Sequence, residues 1–189
     1  MPRATIASQA ALLPSHAQGK GNDGIRNSWT GDIVAAAFAI NLLRMSESTA
    51  PTVVIGAEPA KVWRILTKPE MIPQWMSDEE LTVSLQGHAG GAIVMLGLLH
   101  GMPFENHGII LAFEPGRSFA YGYWSTLSAS RLADVPENHT VVSFDLAPAD
   151  EGTLLTLTLS DFAEPAIRPH ANLYWGPTLQ ILKPVCERA

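Results

Sequence analysis

From Pro51 onward the apolar positions change period several times, and the order of those changes carries most of the information in this chain. Thr52–Ile55 is a short β-branched run that predicts a strand. Glu58-Pro59 then opens a helix, because a proline in the first turn gives up only an N–H that has no partner inside the helix. Val62, Trp63, Ile65 and Leu66 give that helix one apolar face. Pro69 opens a second short helix, and Pro73 confines it to a stretch predicted to close near Trp75–Ser77. Asp78, Glu79 and Glu80 follow as a solvated acidic turn.

The next part is a succession of strands. Leu81–Gln86 alternates apolar and polar residues, and Gly87–Gly91 is a turn. Ala92–His100 is a continuous apolar strand, and the chain turns at Gly101–Pro103. Phe104–Phe113 is the next strand, and Glu114-Pro115-Gly116 turns it back. Along Ser118–Trp124, alternation puts Phe119, Tyr121 and Tyr123 on one face and Ala120, Gly122 and Trp124 on the other. Ser125–Asn138 is a longer, less regular connection. His139–Leu146 and Thr153–Ser160 alternate again, with a hairpin signal over 147–152 between them. A final helix is predicted over Glu164–Glu187, where Leu173, Trp175, Leu179, Leu182 and Cys186 recur at roughly helical spacing. Pro177 and Pro184 each remove one of its backbone hydrogen bonds and weaken or kink it. A strand, two short helices, a run of strands and a closing helix predict an α+β fold. In it a curved antiparallel sheet wraps a long C-terminal helix and leaves a cavity between the two.

The first 50 residues behave differently. Residues 1–30 are rich in Ala, Ser, Gly and Asn without a sustained period, which reads as a flexible extension. Asp32–Leu43 has the makings of one helical piece, capped by Thr30 or Asp32. The apolar run Ile33–Leu43 is too short to span a bilayer, which takes about 20 residues. Met45 begins a stretch that resembles an ordinary protein start, so Met45 is an alternative first residue. The expected division is therefore an extension over 1–50 and a domain over 51–189.

Four separate pieces of that domain carry a resemblance to a known family. They are Ile55 and Ala57 with Val62, Trp63, Leu66, Thr67, Pro69, Glu70 and Trp75; Gly108–Pro115 with Phe119 and Tyr121; Gly152–Thr158 with Phe162; and Tyr174, Trp175, Gly176, Leu179, Leu182 and Lys183. Together they resemble the START-like (SRPBCC) superfamily, and within it the activator of heat-shock-protein-90 ATPase homologue family. The resemblance implies a helix-grip fold, with an apolar or aromatic ligand held between sheet and helix. The family's namesake is a co-chaperone with a two-domain arrangement. The second domain has no counterpart here, and no basic docking segment replaces it.

Charge and cysteine usage narrow the partners. The formal net charge is −6, which argues against a nucleic-acid binder working through a basic surface. The single cysteine, Cys186, permits no intrachain disulfide. That fits a reducing, cytoplasmic setting. No Lys, Arg or His is visibly placed to activate its thiol.

The sequence offers little fixed chemistry. Gly87–Gly91 lacks the Gly-Lys-Ser/Thr ending of a phosphate loop, and no Gly-x-Ser-x-Gly turn is present. The six histidines show no close metal-ligand spacing. His100 and His107 are the nearest pair and flank a turn, with Glu105 as the only obvious third group, so no metal and no cofactor are predicted. The expected site is a pocket lined by Trp75, His100, His107, Phe119, Tyr121, Tyr123 and Trp175. Large aromatic area with a few hydroxyls suits a small hydrophobic or aromatic molecule. Which face of 104–113 looks inward is left open: Phe104, Asn106, Gly108 and Ile110 share one, Glu105, His107, Ile109 and Leu111 the other. Two alternatives stand beside a ligand carrier. One is a cavity enzyme using His107, Glu105 or His100 as acid or base. The other is an interaction module acting on a chaperone, or a homodimer, in a stress-response setting.

Overall fold

The computed structural model describes residues 50–165 and 167–188. The expectations for the N-terminal extension and for Met45 lie outside these residues, Ala50 aside.

Among the described residues seven strands form one sheet: β1 (Thr52–Ile55), β2 (Leu81–Leu85), β3 (Ala92–Leu99), β4 (Met102–Glu114), β5 (Ser118–Ser125), β6 (Thr140–Ala149) and β7 (Gly152–Ser160). Their order is β1-β7-β6-β5-β4-β3-β2, and every neighbouring pair is antiparallel. Two short helices, α1 (Pro59–Thr67) and α2 (Pro73–Met76), follow β1, and a long helix α3 (Ile167–Arg188) ends the chain. This is the helix-grip arrangement. α3 lays Trp175, Thr178, Leu179, Leu182 and Cys186 into the core, at the spacing of one helical face. Opposite them lie Ile110, Phe119, Tyr121, Phe144, Leu157 and Leu159 of the sheet.

Most of the predicted elements are present, with four corrections. The second short helix is opened by Pro73, not Pro69; residues 69–72 form turns. The β3–β4 turn is His100-Gly101 alone, at φ 52° and 74°. A two-residue hairpin turn asks for positive φ at both positions, so Met102 and Pro103 are already strand. The β6–β7 turn is likewise just Asp150-Glu151, and Pro148 lies within β6 opposite Thr153. Proline is tolerated there because pairing with β5 stops at Asp145, so the other side of β6 has no ladder to interrupt. Finally, Leu173 is 74 % exposed and not on the core face of α3. It precedes Trp175 by two residues, which is about 200° around a helix. Pro177 and Pro184 lie inside α3, which runs unbroken through both.

Candidate functional site

The register of β4 settles which of its faces looks inward. Ile110 is fully buried in the core, and alternation from it turns Phe104, Asn106 and Gly108 inward. Glu105, His107 and Ile109 therefore face outward, away from α3. A β-bulge between Ile110 and Ala112 shifts the phase, so Phe113 comes back to the core side opposite Phe119. On β5 Phe119, Tyr121 and Tyr123 all face inward, as alternation predicts. Gly108 has a local reason to be glycine: a Cβ there would sit 1.8 Å from the Gly122 carbonyl oxygen. No side chain fits between β4 and β5 beside Tyr123.

Five of the seven expected site residues join one aromatic array through Phe144. The Phe144 ring lies 6.1 Å from Trp75, 5.7 Å from Trp175 and 6.2 Å from Phe119, the last stacked. Phe119 continues to Tyr121 at 5.5 Å, and Tyr121 to Tyr123 at 6.0 Å. Trp75 is held by its indole N–H, which donates to the Ile65 carbonyl at 3.2 Å. Trp75, Phe119 and Trp175 are thus pillars of the core. Tyr123, only half-buried, is where the array comes nearest to solvent.

The polar groups on this inner face are few and neutral. The Tyr174 hydroxyl of α3 donates to the Met76 carbonyl of α2. Burial pushes the Tyr174 hydroxyl up to about 12. Burial also raises Tyr121 well above the ordinary phenol value, with Tyr123 and Tyr174 adding to it, and raises Tyr123. All three remain O–H groups at any physiological pH and act as hydrogen-bond partners, not bases. Asn106 Oδ1 is buried and has no hydrogen-bond partner among the described residues. The buried polar side chains among the described residues are Thr67, Thr140, Thr153 and Thr178, with no carboxylate or imidazole. Cys186 is fully buried, and burial pushes its thiol up to about 12, which leaves it unreactive.

His107 and His100 require a correction, because neither joins this array. His107 lies on the outer face, with its ring 5.5 Å from Trp124. Its Nε2 is 2.8 Å from Asp134 Oδ2 and its Nδ1 is 3.1 Å from Glu105 Oε1. His139 Nε2 reaches the other oxygen of Asp134 at 3.0 Å. The Asp134 hydrogen bond is the main cause that raises His107 above its ordinary value, with desolvation opposing it and Glu105 assisting. The His107 and His139 hydrogen bonds hold Asp134 below the ordinary carboxylate value. His100 sits at the exposed hairpin turn, where its backbone N–H and that of Gly101 donate to the two oxygens of Glu79. Glu79 therefore clasps that turn and is more than a solvated charge. His107 pairs across to Val94, so the two histidines do not face one another. No group of His, Cys, Asp or Glu among the described residues is arranged to hold a metal ion.

Trp175 also borders a cleft of about 430 Å³ between the start of β1, the end of β7 and α3, with Pro51, Leu159 and Gly176 around it. Its volume is in the range of small-molecule sites.

Comparison with known proteins agrees with this geometry. The family described as "Activator of Hsp90 ATPase homolog 1-like protein" matches residues 56–187. The chain belongs to this family. It is therefore a START-like, SRPBCC-type domain. Among solved structures, a Chromobacterium violaceum protein has a TM-score of 0.62 at 22% identity, over 75% of this chain and 99% of that one. A Cytophaga hutchinsonii protein has a TM-score of 0.60 at 30% identity, over 72% of this chain and 90% of that one. The solution structure of the Aha1 dimer from Colwellia psychrerythraea has a TM-score of 0.58 at 21% identity, over 75% of this chain and 96% of that one. No curated protein matches. No helix among the described residues is long and apolar enough to cross a membrane.

Two groups escaped the reading from sequence. Asn106 was one member of an unassigned face, and its buried oxygen follows only from the register. Asp134 lies in an aperiodic connection, and nothing in the spacing ties it to His107, 27 residues away.

Proposed function

We propose that this Hsp90-activator-like domain holds a small apolar or aromatic molecule between the inner face of its sheet and α3. The observation that carries the reading is Asn106. A buried amide oxygen without a partner costs about 1–3 kcal/mol. A ligand that donates a hydrogen bond to it would offset that cost. Tyr123, opposite Gly108, and Tyr121, opposite Ile110, supply aromatic surface and hydroxyls on the same face. The preferred molecule is therefore a flat or apolar body bearing one hydroxyl or N–H donor.

Native mass spectrometry of gently purified protein, followed by solvent extraction, tests the reading. A reproducible apolar adduct is expected, and Asn106→Leu should release it. Protein that is empty on isolation, and stays empty against a panel of phenols, indoles and fatty acids, overturns the proposal.

A second reading, an interaction module or homodimer, is favoured by the outer face. Leu96, Ile109 and Leu111 are large apolar side chains left about half exposed there. Sedimentation of the purified protein distinguishes a dimer from a monomer. The lone, buried Cys186 suits a reducing cytoplasmic compartment.

A further inference from the structure

The connection between β5 and β6 crosses the outer face of the sheet, and its attachment is polar. It contains two single turns of 3-10 helix, Thr126–Ser128 and Pro136–Asn138, and neither buries a residue. Of its large apolar side chains, Leu127 and Val135 are exposed and Leu132 is half-buried. The segment is held by Trp124 Nε1 donating to the Leu132 carbonyl at 3.1 Å and by Glu105 N–H donating to Thr126 Oγ1 at 2.9 Å. An exposed Arg131–Glu164 pair at 3.5 Å adds little. A further anchor is Asp134, whose two oxygens are gripped by His107 of β4 and by His139 at the foot of β6. We propose that residues 126–138 form a pH-sensitive strap, clasped to the sheet through Asp134 by His107, with His139 at the foot of β6 holding the other oxygen, and loosened as pH rises.

The geometry at His107 dictates the direction. Both of its ring nitrogens face carboxylates, Glu105 on one side and Asp134 on the other. A carboxylate only accepts, so both contacts are satisfied together only when the ring is an imidazolium. A neutral ring leaves one lone pair facing a carboxylate, and Glu105 and Asp134 then repel each other across it with no charge between them. The other neighbours of His107, Val94 on β3 and Trp124 on β5, carry no titratable group. His139 offers one nitrogen to Asp134, and a neutral ring can supply that donor.

The sign follows from the two groups together. His107 is raised above 6.5, so its contribution to closure is complete below 6.5 and is lost as pH rises through the raised value. Asp134 is lowered from 3.8, so its contribution is present above 3.8 and is lost only as pH falls through the lowered value. The strap is thus tightest in mildly acidic solution. Loosening on the alkaline side uncovers Trp124, which the folded strap leaves only 9 % exposed.

Hydrogen–deuterium exchange of the full chain between pH 5.5 and 9, corrected for the intrinsic pH dependence of exchange, tests the proposal. Peptides within 126–138 should lose protection severalfold across that range, while peptides from β6 and β7 stay protected. Asp134→Asn should be poorly protected at every pH, with the step gone. His107→Gln, which offers a single neutral donor, should also lose the step. Both residues are partly exposed, so the variants keep the fold. Wild-type protection that does not change with pH, or a step that survives Asp134→Asn, overturns the proposal.

Discussion

The carboxylate of Glu187 accepts a hydrogen bond from the backbone N–H of Gly56 at 2.9 Å, tying the last turn of α3 to the corner between β1 and α1. Lys183 lies 3.3 Å from the same oxygen, and its ammonium donates to the Val54 carbonyl. The gripping helix is therefore latched at its C-terminal end to Val54 of the first strand and to the corner at Gly56, 131 residues before Glu187.

This latch predicts a specific acid response. The Gly56 N–H, ahead of Lys183, holds Glu187 below its ordinary value of 4.5. A lowered carboxylate contributes stability above its unfolded value and loses it as pH falls through the folded one. Glu187→Gln should melt below wild type at pH 7, and the two melting points should converge as the pH drops below 4.5. Thermal melts across that range are the check. A gap that persists undiminished into acid would assign the effect to packing instead of charge.

Phe144 predicts a larger loss. It is almost fully buried and touches Trp75, Phe119 and Trp175, so it joins α2, the sheet and α3. Phe144→Ala removes the hub of that array and leaves a cavity that three rings cannot collapse into. Aromatic-to-alanine changes at such sites cost about 3–5 kcal/mol, readable from urea midpoints. A loss no larger than that of Leu173→Ala, on the exposed side of α3, would contradict the central role of Phe144.

The fold was legible because its signals are local. Pro59 opens α1, alternation marks β5 and β7, and Trp175, Leu179, Leu182 and Cys186 mark the buried face of α3. The inward placement of Trp75, Phe119, Tyr121, Tyr123 and Trp175 was legible for the same reason, since burial follows from period and size. The two histidines were not. The fate of His107 depends on which side of a strand Ile110 anchors, and both sides of β4 carry apolar residues. Leu111 and Ile109 are as apolar as Ile110 yet lie on the outer face, half exposed. His100 turned on whether the hairpin ends at residue 101 or 103, a matter of positive φ values that neither hydropathy nor proline position reveals. The Asp134 clasp is a long-range contact from an aperiodic segment, and only the folded sheet brings it to His107.

Gly108 and Gly116 offer a matched test of close approach against turn geometry. An alanine Cβ at Gly108 would meet the Gly122 carbonyl at 1.8 Å, and neither partner is a side chain that could rotate away. Gly116 has φ 72° and open space around it. Gly116→Ala should cost about 1–2 kcal/mol, the penalty of a left-handed L-residue. Gly108→Ala should exceed about 3 kcal/mol, the upper end for ordinary overpacking, because β4 and β5 must separate. Urea midpoints of the two variants give the comparison. Equal losses would mean that the close approach at Gly108 relaxes without disturbing the ladder.

Asn106 separates stability from function. Its Oδ1 is buried and has no partner among the described residues, so the unliganded protein carries a desolvation cost without a compensating bond. Leucine has nearly the shape of asparagine and no polar atoms. Asn106→Leu should therefore stabilise the empty protein by about 1 kcal/mol, within the range for removing an unsatisfied buried group. The same change removes the acceptor for a ligand's O–H or N–H, so any bound molecule with such a donor should dissociate more easily. Urea unfolding of extracted protein reads the first effect, and competition by a phenol or indole reads the second. A variant that is less stable when empty would show that Asn106 has a structural partner in solution. A variant that is more stable and binds equally well would place the ligand's polar end elsewhere on the inner face, with the Tyr121 and Tyr123 hydroxyls the next groups to remove.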